Sequence, residues 1–325
     1  MGQYTDMTAL SLEPIRYDLE SCEVVFGIEA PEPDPILKID GYLVLSRGNI
    51  STVKGKAKAK KSFFVTMLVS MVLKQNSDSK VLLIDTEQHR SSVSKVLNRI
   101  YRLMCWVHIN SRLKVLTLRE FYEVDVRKSM VIQAIEEGSF DLVVLDGGVD
   151  IIHNFNDPNE AKESIGQLMA LSSKYDCSIL NVLHEGKTNG ELRGHYGAEA
   201  LNKSETIFEV VKDDKGTSIV KAYATRHIAF DDFSFTIDET GLPIYNGPVE
   251  SVPKTEKDLD LMKASFTRLL APNKNIEYEA LADEYAELIG KTSRTAKNHI
   301  SKLVKINFIV KDKQTKLYRL AMYTD

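Results

Sequence analysis

A short basic stretch from Gly55 to Ser62 constrains the fold of this chain more than any other part of the sequence. It follows the apolar run Ile50–Val53 and precedes an apolar segment with helical spacing, Phe63–Leu73. A strand, a glycine turn and a helix in this order form a phosphate-binding loop, because backbone N–H groups and the helix N-terminus then point at the same anion. The sequence therefore predicts an anion site at the start of this helix.

The stretch matches the phosphate-loop pattern at all but one of its fixed positions. Gly55, Lys61 and Ser62 are in register, whereas Lys60 stands where the second glycine is usual and where a side chain crowds a tightly folded backbone. We expect Gly55, Lys60, Lys61 and Ser62 to bind nucleotide phosphates, with Ser62 also reaching Mg²⁺. The alternative is a basic surface loop, because five lysines crowd between residues 54 and 61.

The composition is that of a soluble globular protein, with 43% hydrophobic and 27% charged residues among 325. A net charge of -4 and a pI near 6.0 argue against nucleic-acid binding over the whole surface, so any such site must be local. The three cysteines form no close pair, no signal peptide is recognisable, and no apolar stretch reaches membrane-spanning length. These features predict a cytoplasmic protein without a membrane segment.

Short apolar runs alternate with helical segments after the phosphate loop. Two of these runs end in a carboxylate, at Asp85 and at Asp146. The alternation predicts an α/β fold with a mostly parallel sheet covered by helices on both faces. Alternating apolar and polar residues between 204 and 238 predict antiparallel strands that continue this sheet.

The two strand-end carboxylates are candidates for chemistry beside the loop. The carboxyl ends of parallel strands line the ligand crevice of an open sheet. Asp146 is expected to hold the water shell of Mg²⁺, and Glu87, two residues after Asp85, to act as general base for an attacking water. The alternative is that Asp85 and Asp146 cap the turns that follow them.

The C-terminal part has a different pattern. After a polar linker at 247–257, the sequence predicts three helices and a hairpin in 258–325, which is the layout of a winged helix-turn-helix. Seven lysines and two arginines but one acid lie between Lys291 and Arg319, so positive charge concentrates here. The alternative is a winged domain that makes protein contacts. The residues expected to contact duplex DNA are Arg294, Lys297, Asn298, Lys302 and Lys313.

The middle of the chain resembles RecA-like ATPases, especially the hexameric replicative-helicase type found on plasmids and mobile elements. The resemblance covers roughly residues 41–246, with 1–40 as an N-terminal segment, and it depends on the order and spacing of short tags. These tags are Gly55 with Lys61-Ser62, Asp85-Thr-Glu87, Asp146, His184, Arg193-Gly194 and Arg226-His.

The resemblance implies roles for four further features. His184 would sense the γ-phosphate of ATP, Arg226 would reach the nucleotide of a neighbouring subunit, and Glu87 would activate water. The glycine-rich loop at 186–197, which includes Arg193, would contact single-stranded DNA. ATP and Mg²⁺ are the implied cofactors, and a homo-oligomer, with a hexamer as one arrangement, is the implied assembly.

Two functions remain open at this point. The first is a RecA-like ATPase that acts in replication, mobilisation or excision of a plasmid or mobile element. The second is a nucleotide-sensing DNA-binding adaptor or regulator without significant turnover, since Lys60 replaces a loop glycine and Ala224 stands where many such helicases carry a second lysine. A third reading keeps the fold as a scaffold without nucleotide. The retained Glu87 favours hydrolysis, because a pure sensor needs no base.

Overall fold

The computed structural model describes residues 23, 24, 26, 34–186, 192–213, 216–249, 256–270, 274–312 and 314–321. The chain divides into two compact units, Met1–Asp34 and Pro35–Asp325, and almost all described residues belong to the second. The described helices are α1 Lys61–Gln75, α2 Arg90–Leu103, α3 Val124–Glu136, α4 Pro158–Lys174, α5 Gly194–Lys203, α6 Glu256–Leu269, α7 Tyr278–Ile289 and α8 Ser293–Lys305.

The described strands form one large sheet and two small ones. They are β1 Pro35–Ile39, β2 Tyr42–Ser46, β3 Ile50–Lys54, β4 Val81–Asp85, β5 Leu113–Thr117, β6 Leu142–Asp146, β7 Ser178–Val182, β8 Thr206–Lys212, β9 Ser218–Thr225, β10 Phe233–Ile237, β11 Pro243–Pro248, β12 Ile309–Lys311 and β13 Tyr318–Leu320.

The large sheet has nine strands in the order β11-β10-β9-β8-β3-β7-β6-β4-β5. The strands from β8 to β5 run parallel, whereas β9, β10 and β11 continue the sheet in antiparallel order. This confirms the predicted α/β fold. Strands β3, β4 and β7 are buried along their whole length, as expected when helices cover both faces of a sheet.

The parallel strands bring their carboxyl ends to one edge of the sheet, and this edge positions the candidate site. Asp85 and Asp146 are register partners at the ends of β4 and β6, and β3 runs directly into the predicted phosphate loop. The strand that ends before His184, β7, lies between β3 and β6. The topology alone therefore gathers the predicted loop, both carboxylates and His184.

Helices α6, α7 and α8 and the β12–β13 pair share a hydrophobic core of their own. Phe266 and Tyr285 lie at its centre, with ring centroids 4.0 Å apart, and Ile300 and Leu303 bring α8 onto them. The three helices and the antiparallel pair occur in the predicted order. They cluster with the large sheet in the unit Pro35–Asp325, so the boundary at 247–257 stays a prediction.

Two segments differ from the sequence expectation. Residues 243–248 form strand β11, which pairs with β10, whereas the sequence suggested that the linker begins at 247. The glycine-rich region expected to be a loop up to Gly197 becomes helix α5 at Gly194. A Cβ on Gly197 would lie 2.4 Å from the Cβ of Leu192, so this glycine allows close packing rather than an open loop. Residues 187–191 lie outside the described part of the chain.

Candidate nucleotide site

The predicted phosphate loop connects β3 to α1 and packs closely against β8. A Cβ on Gly55 would lie 2.5 Å from the carbonyl oxygen of Val210, so only glycine fits at this position. The backbone N–H groups of Phe63 and Phe64 both bond to the carbonyl of Lys60, which begins the helix. The loop therefore ends at the N-terminus of a fifteen-residue helix, where the helix dipole favours an anion.

Lys60 adopts the backbone conformation that explains why a glycine is usual at its position. Its φ and ψ are 71° and 27°, in the left-handed region, and a lysine there costs about 1 kcal/mol relative to glycine. Its Nζ donates to the carbonyl oxygen of Gly216, between β8 and β9, at 3.2 Å. The lysine thus preserves the fold of the loop and adds a positive charge to it.

The amino group of Lys61 lies inside the loop. Its Nζ lies 2.8 Å from the carbonyl oxygen of Gly55, 3.2 Å from that of Lys56 and 2.9 Å from Nδ1 of His184. Burial lowers the pKa of this amine. Because Lys54 and Lys61 are only 2% and 6% exposed, the alternative of a solvated basic loop does not describe these two lysines.

Asp85 shapes the turn that carries Glu87. Its carboxylate accepts backbone hydrogen bonds from Glu87 at 3.0 Å and from Gln88 at 2.6 Å, and burial raises its pKa. The turn-capping alternative is therefore correct for Asp85. In the described part of the chain no such backbone bond reaches the carboxylate of Asp146, which remains directed to the cavity.

His184 joins the predicted base to the predicted phosphate lysine. Its Nε2 lies 3.1 Å from Oε2 of Glu87, while its Nδ1 faces Lys61. This hydrogen bond is the main reason that the pKa of Glu87 is lowered, with the charges of Lys61 and Arg193 adding to the effect. Glu87 is therefore an ionised carboxylate at neutral pH, as a general base must be.

Asp146 has the opposite electrostatic environment. Burial, together with the neighbouring carboxylates Asp85 and Glu87, raises its pKa to about 7. Burying like charges together is costly, and a nearby cation offsets that cost. Asp146 and the Ser62 hydroxyl line the same cavity, so they fit a nucleotide-bound Mg²⁺. Among the described residues, no group of three or more His, Cys, Asp or Glu side chains could hold a metal without such a ligand.

A cavity of about 440 Å³ lies over these residues, and it is strongly basic. Five basic side chains line it, against the two carboxylates Glu87 and Asp146. Those basic residues are Lys58, Lys60, Lys61, Lys95 and Arg99. Lys95 and Arg99 were not predicted, because they come from α2 and reach the site only through the packing of α2 on α1.

Arg99 also stacks on an aromatic side chain at the mouth of this cavity. Its guanidinium carbon lies 4.2 Å from the ring centroid of Phe63, the residue after Ser62. The sequence carries a weak signal for this arrangement. Ser92, Lys95 and Arg99 recur at helical spacing on α2, on a face that begins next to Glu87.

Of the two predicted arginines, Arg193 lies near the site, whereas Arg226 lies at the opposite end of the sheet, where its backbone N–H donates to the carbonyl oxygen of Glu205 next to the start of β8. Arg193 precedes α5, and its charge acts on Glu87, so it lies near the nucleotide cavity. Arg226 follows β9 with an exposed side chain, whose Nη2 donates to the carbonyl oxygen of Lys203 at 3.1 Å. Tyr196, an aromatic residue of the 186–197 region, is fully buried and its hydroxyl accepts from Asn181, so it is not available to stack on a base.

The predicted DNA-facing residues of α8 do not share one exposed face. Arg294 is exposed, Lys297 pairs with Glu279 of α7 at 2.6 Å, and Asn298 lines a cavity beside β9. The Nζ atom of Lys302 is buried. Lys313 lies outside the described residues.

The N-terminal turn of α8 contacts the large sheet domain. Thr292 caps the helix, and its Oγ1 accepts from the hydroxyl of Tyr42 at 2.8 Å. Thr295 donates to Oδ1 of Asp231 at 2.8 Å. A carboxylate therefore lies at the helix end to which phosphates commonly bind.

The sheet order, the loop and the strand-end carboxylates together define an α/β domain with a phosphate-loop site. The chain belongs to the AAA domain family AAA_25, which matches residues 16–190. No curated protein sequence matches the chain significantly. Among solved structures it is similar to the KaiC-like protein PH0186 from the hyperthermophilic archaeon Pyrococcus horikoshii OT3, with 11% identity and a TM-score of 0.45 over 62% of this chain and 91% of that one.

Within the described residues, no helix has the length and apolar character needed to cross a membrane.

Proposed function

We propose that this protein is an oligomeric DNA-dependent ATPase of the mobile-element helicase type, which hydrolyses MgATP and binds DNA. Its biological setting would be replication, mobilisation or excision of a plasmid or mobile element. The observation that carries the hydrolytic part is the contact series Lys61–His184–Glu87, with distances of 2.9 and 3.1 Å. It brings a phosphate-binding cation, a candidate sensor and an ionised base together beside one phosphate loop.

Each of these side chains has a defined task in this proposal. Lys61 leaves the carbonyls of the loop to bind phosphate oxygens, and Glu87 accepts a proton from the attacking water. His184 responds to the γ-phosphate, because its ring contacts both groups. Bound Mg²⁺ supplies charge neutralisation on the phosphates, and Ser62 and Asp146 are the residues that would hold it. Arg226, whose side chain is exposed, would complete the site of a neighbouring subunit.

DNA binding is assigned to two regions. The C-terminal module, a proposed winged helix-turn-helix, would bind duplex DNA through α8 and the β12–β13 wing, which carry the concentrated positive charge. The region around Arg193 would contact single-stranded DNA. His195 is its exposed aromatic candidate, since Tyr196 is buried.

A nucleotide-sensing adaptor without turnover is the second candidate. It is favoured by the bonds that the loop carbonyls of Gly55 and Lys56 make to Lys61 and by the left-handed lysine at position 60. In such a protein ATP binding would change the conformation of the chain, and the bound ATP would not be hydrolysed. Measured turnover decides between the two candidates.

The first experiment is ATP hydrolysis with and without single-stranded DNA. We expect stimulated turnover that Glu87→Gln abolishes while ATP affinity stays within about threefold, because the amide can bind but cannot accept the proton. Lys61→Ala should remove nucleotide binding itself. The matched control is Glu120→Gln, an exposed glutamate outside the cavity. ATP binding without turnover under every DNA condition would establish the adaptor instead.

Duplex binding is tested separately by charge reversal on α8. Arg294→Glu, a charge reversal at the exposed arginine of α8, should weaken duplex binding by about tenfold and flatten its salt dependence. Lys114→Glu on the edge strand β5 serves as the charge-matched control. Equal effects of the α8 and β5 changes would move the DNA contact away from α8.

A further inference from the structure

A second group of charged residues lies directly behind the phosphate loop and takes no part in the proposed chemistry. Lys54, the last residue of β3, is 2% exposed, and its Nζ lies 3.4 Å from Oε1 of Glu185 and 3.0 Å from Oε1 of Glu209. The same nitrogen lies 3.8 Å from the ring centroid of Tyr223, and Lys221 lies 3.8 Å from Glu209. These five residues are called the Lys54 cluster below.

The Lys54 cluster holds its lysine charged. Burial alone would lower the pKa of Lys54, but the carboxylates of Glu209 and Glu185 outweigh this effect and the pKa is raised. A buried ion pair of this kind contributes little net stability, because desolvation offsets the attraction. The position of this pair is more informative than its energy, because the buried charge of Lys54 requires carboxylate partners and so restricts where the Glu185 and Glu209 side chains can lie.

Glu185 is the member of this cluster that reaches the nucleotide site. It follows His184 in the chain, and its backbone N–H donates to the carbonyl oxygen of Gly55 at 3.2 Å. Successive side chains of an extended segment point in opposite directions. Fixing the Glu185 side chain on Lys54 therefore directs the His184 ring the other way, toward Lys61 and Glu87.

We propose that Glu185 is a positioning residue for the ATPase reaction, which sets the direction of the His184 ring through its ion pair with buried Lys54. This inference rests on the proposed function, in which His184 links the phosphate lysine to the base. The two strand ends β3 and β7 are thus joined twice, by the backbone bond to Gly55 and by the side-chain pair, and this double link fixes the direction of the Cα–Cβ bond of His184 toward the cavity.

The Lys54 cluster provides its own matched control. Glu185→Gln and Glu209→Gln remove one carboxylate charge each from the same lysine, but only residue 185 adjoins His184. We expect Glu185→Gln to lower kcat for ATP by at least about tenfold with KM within about twofold, since a displaced catalytic group loses rate more than binding. Glu209→Gln should leave kcat within about twofold, and Glu185→Asp should recover part of the loss.

A readout that needs no turnover separates this inference from the proposed function. The ring-nitrogen resonances of His184 in the nucleotide-free protein should shift in Glu185→Gln and stay unchanged in Glu209→Gln. If the parent protein hydrolyses no ATP, the proposed function fails while the resonances still decide the role of Glu185. Equal losses of rate and equal shifts in both variants, or unchanged resonances in both, would overturn the positioning role.

Discussion

Lys60 shows how a single residue can depart from a motif and still keep its geometry. Its backbone lies in the left-handed region that glycine adopts freely, so the loop folds as the motif requires. The cost is local strain, and the gain is one more cation in a cavity that already holds four others. The strain affects the free energy of unfolding and the charge affects ATP affinity, so the two effects can be measured separately.

Replacing Lys60 by glycine should therefore change stability and binding in opposite directions. Lys60→Gly relieves a strain of about 1 kcal/mol and should raise the free energy of unfolding by up to that amount. It should also weaken ATP binding by about tenfold, because a positive charge that lines the nucleotide cavity is lost. Thermal unfolding and calorimetric titration measure the two quantities.

Lys316 provides the control for this prediction. It too has a positive φ, of 63°, and it lies near the β12–β13 wing rather than at the nucleotide cavity. Lys316→Gly should raise stability without changing ATP affinity. Tighter ATP binding by Lys60→Gly than by the parent would show that the lysine is only a tolerated departure from the motif.

At the scale of elements, the pH response of the C-terminal module should depend on one histidine of α8. The ring of His299 lies 3.0 Å from the hydroxyl of Tyr285, and its pKa is lowered below 6.5 by burial and by the charge of Lys302, against a weaker opposite effect of Asp231. The unfolded chain then binds a proton more readily than the folded one. The stabilising contribution is complete above pH 6.5 and is lost as the pH falls.

Acidification from pH 7 to pH 5 should therefore destabilise the module that contains α8. We expect the amides of α8 and α7 to have lower protection factors at pH 5 than at pH 7, after correction for the intrinsic exchange rate at each pH, and His299→Gln to show a smaller pH effect. His153→Gln, at an exposed site near α3, is the control. The same pH effect in the parent and in His299→Gln would assign it to other groups.

The elements could be predicted where local sequence decides them. Val81–Asp85 and Leu142–Asp146 are uninterrupted apolar runs that end in an acid, and both are buried strands. Asp157 and Pro158 start α4, because the aspartate caps the helix and proline suits its first turn. The end of β11 was wrongly assigned to the linker, because Gly247 and Pro248 are residue types that are common in loops.

The sequence predicts those site residues that lie at the ends of parallel strands. Glu87, Asp146 and His184 meet because parallel strands share one edge, which sequence order can indicate. Lys95 and Arg99 depend on how α2 packs, and the pairing of Lys54 with Glu185 depends on β3 and β7 being neighbours. Apart from the helical spacing of Ser92, Lys95 and Arg99 on α2, the sequence near these residues does not specify those contacts.

At the scale of the whole molecule, the sheet domain occupies the part of α8 that a DNA duplex would need. The Asp231 carboxylate and the Tyr42 hydroxyl bond to Thr295 and Thr292 at the first turn of the helix. An acid at a helix N-terminus resembles a DNA phosphate in charge and in hydrogen bonding. Duplex DNA would therefore have to displace Asp231 before this end of α8 could enter a groove.

Removing Asp231 should strengthen duplex binding. We expect Asp231→Ala to tighten it by at least about tenfold, because a hydrogen bond to a charged acceptor contributes about 1.5 to 3 kcal/mol. Fluorescence anisotropy with a short duplex measures the change. Asp78→Ala removes the same charge at an exposed turn and controls for the general electrostatic gain. Equal gains in the two variants would mean that the contact does not compete with DNA.

The left-handed backbone of Lys60 also bears on how related genes are found. A motif search that requires glycine at this position depends on residue identity. The fold requires only a left-handed backbone there, which other residues adopt at a cost of about 1 kcal/mol. Selection can maintain such a substitution wherever the rest of the domain has that much stability to spare. Genomes searched with the glycine motif alone would then undercount domains of this kind.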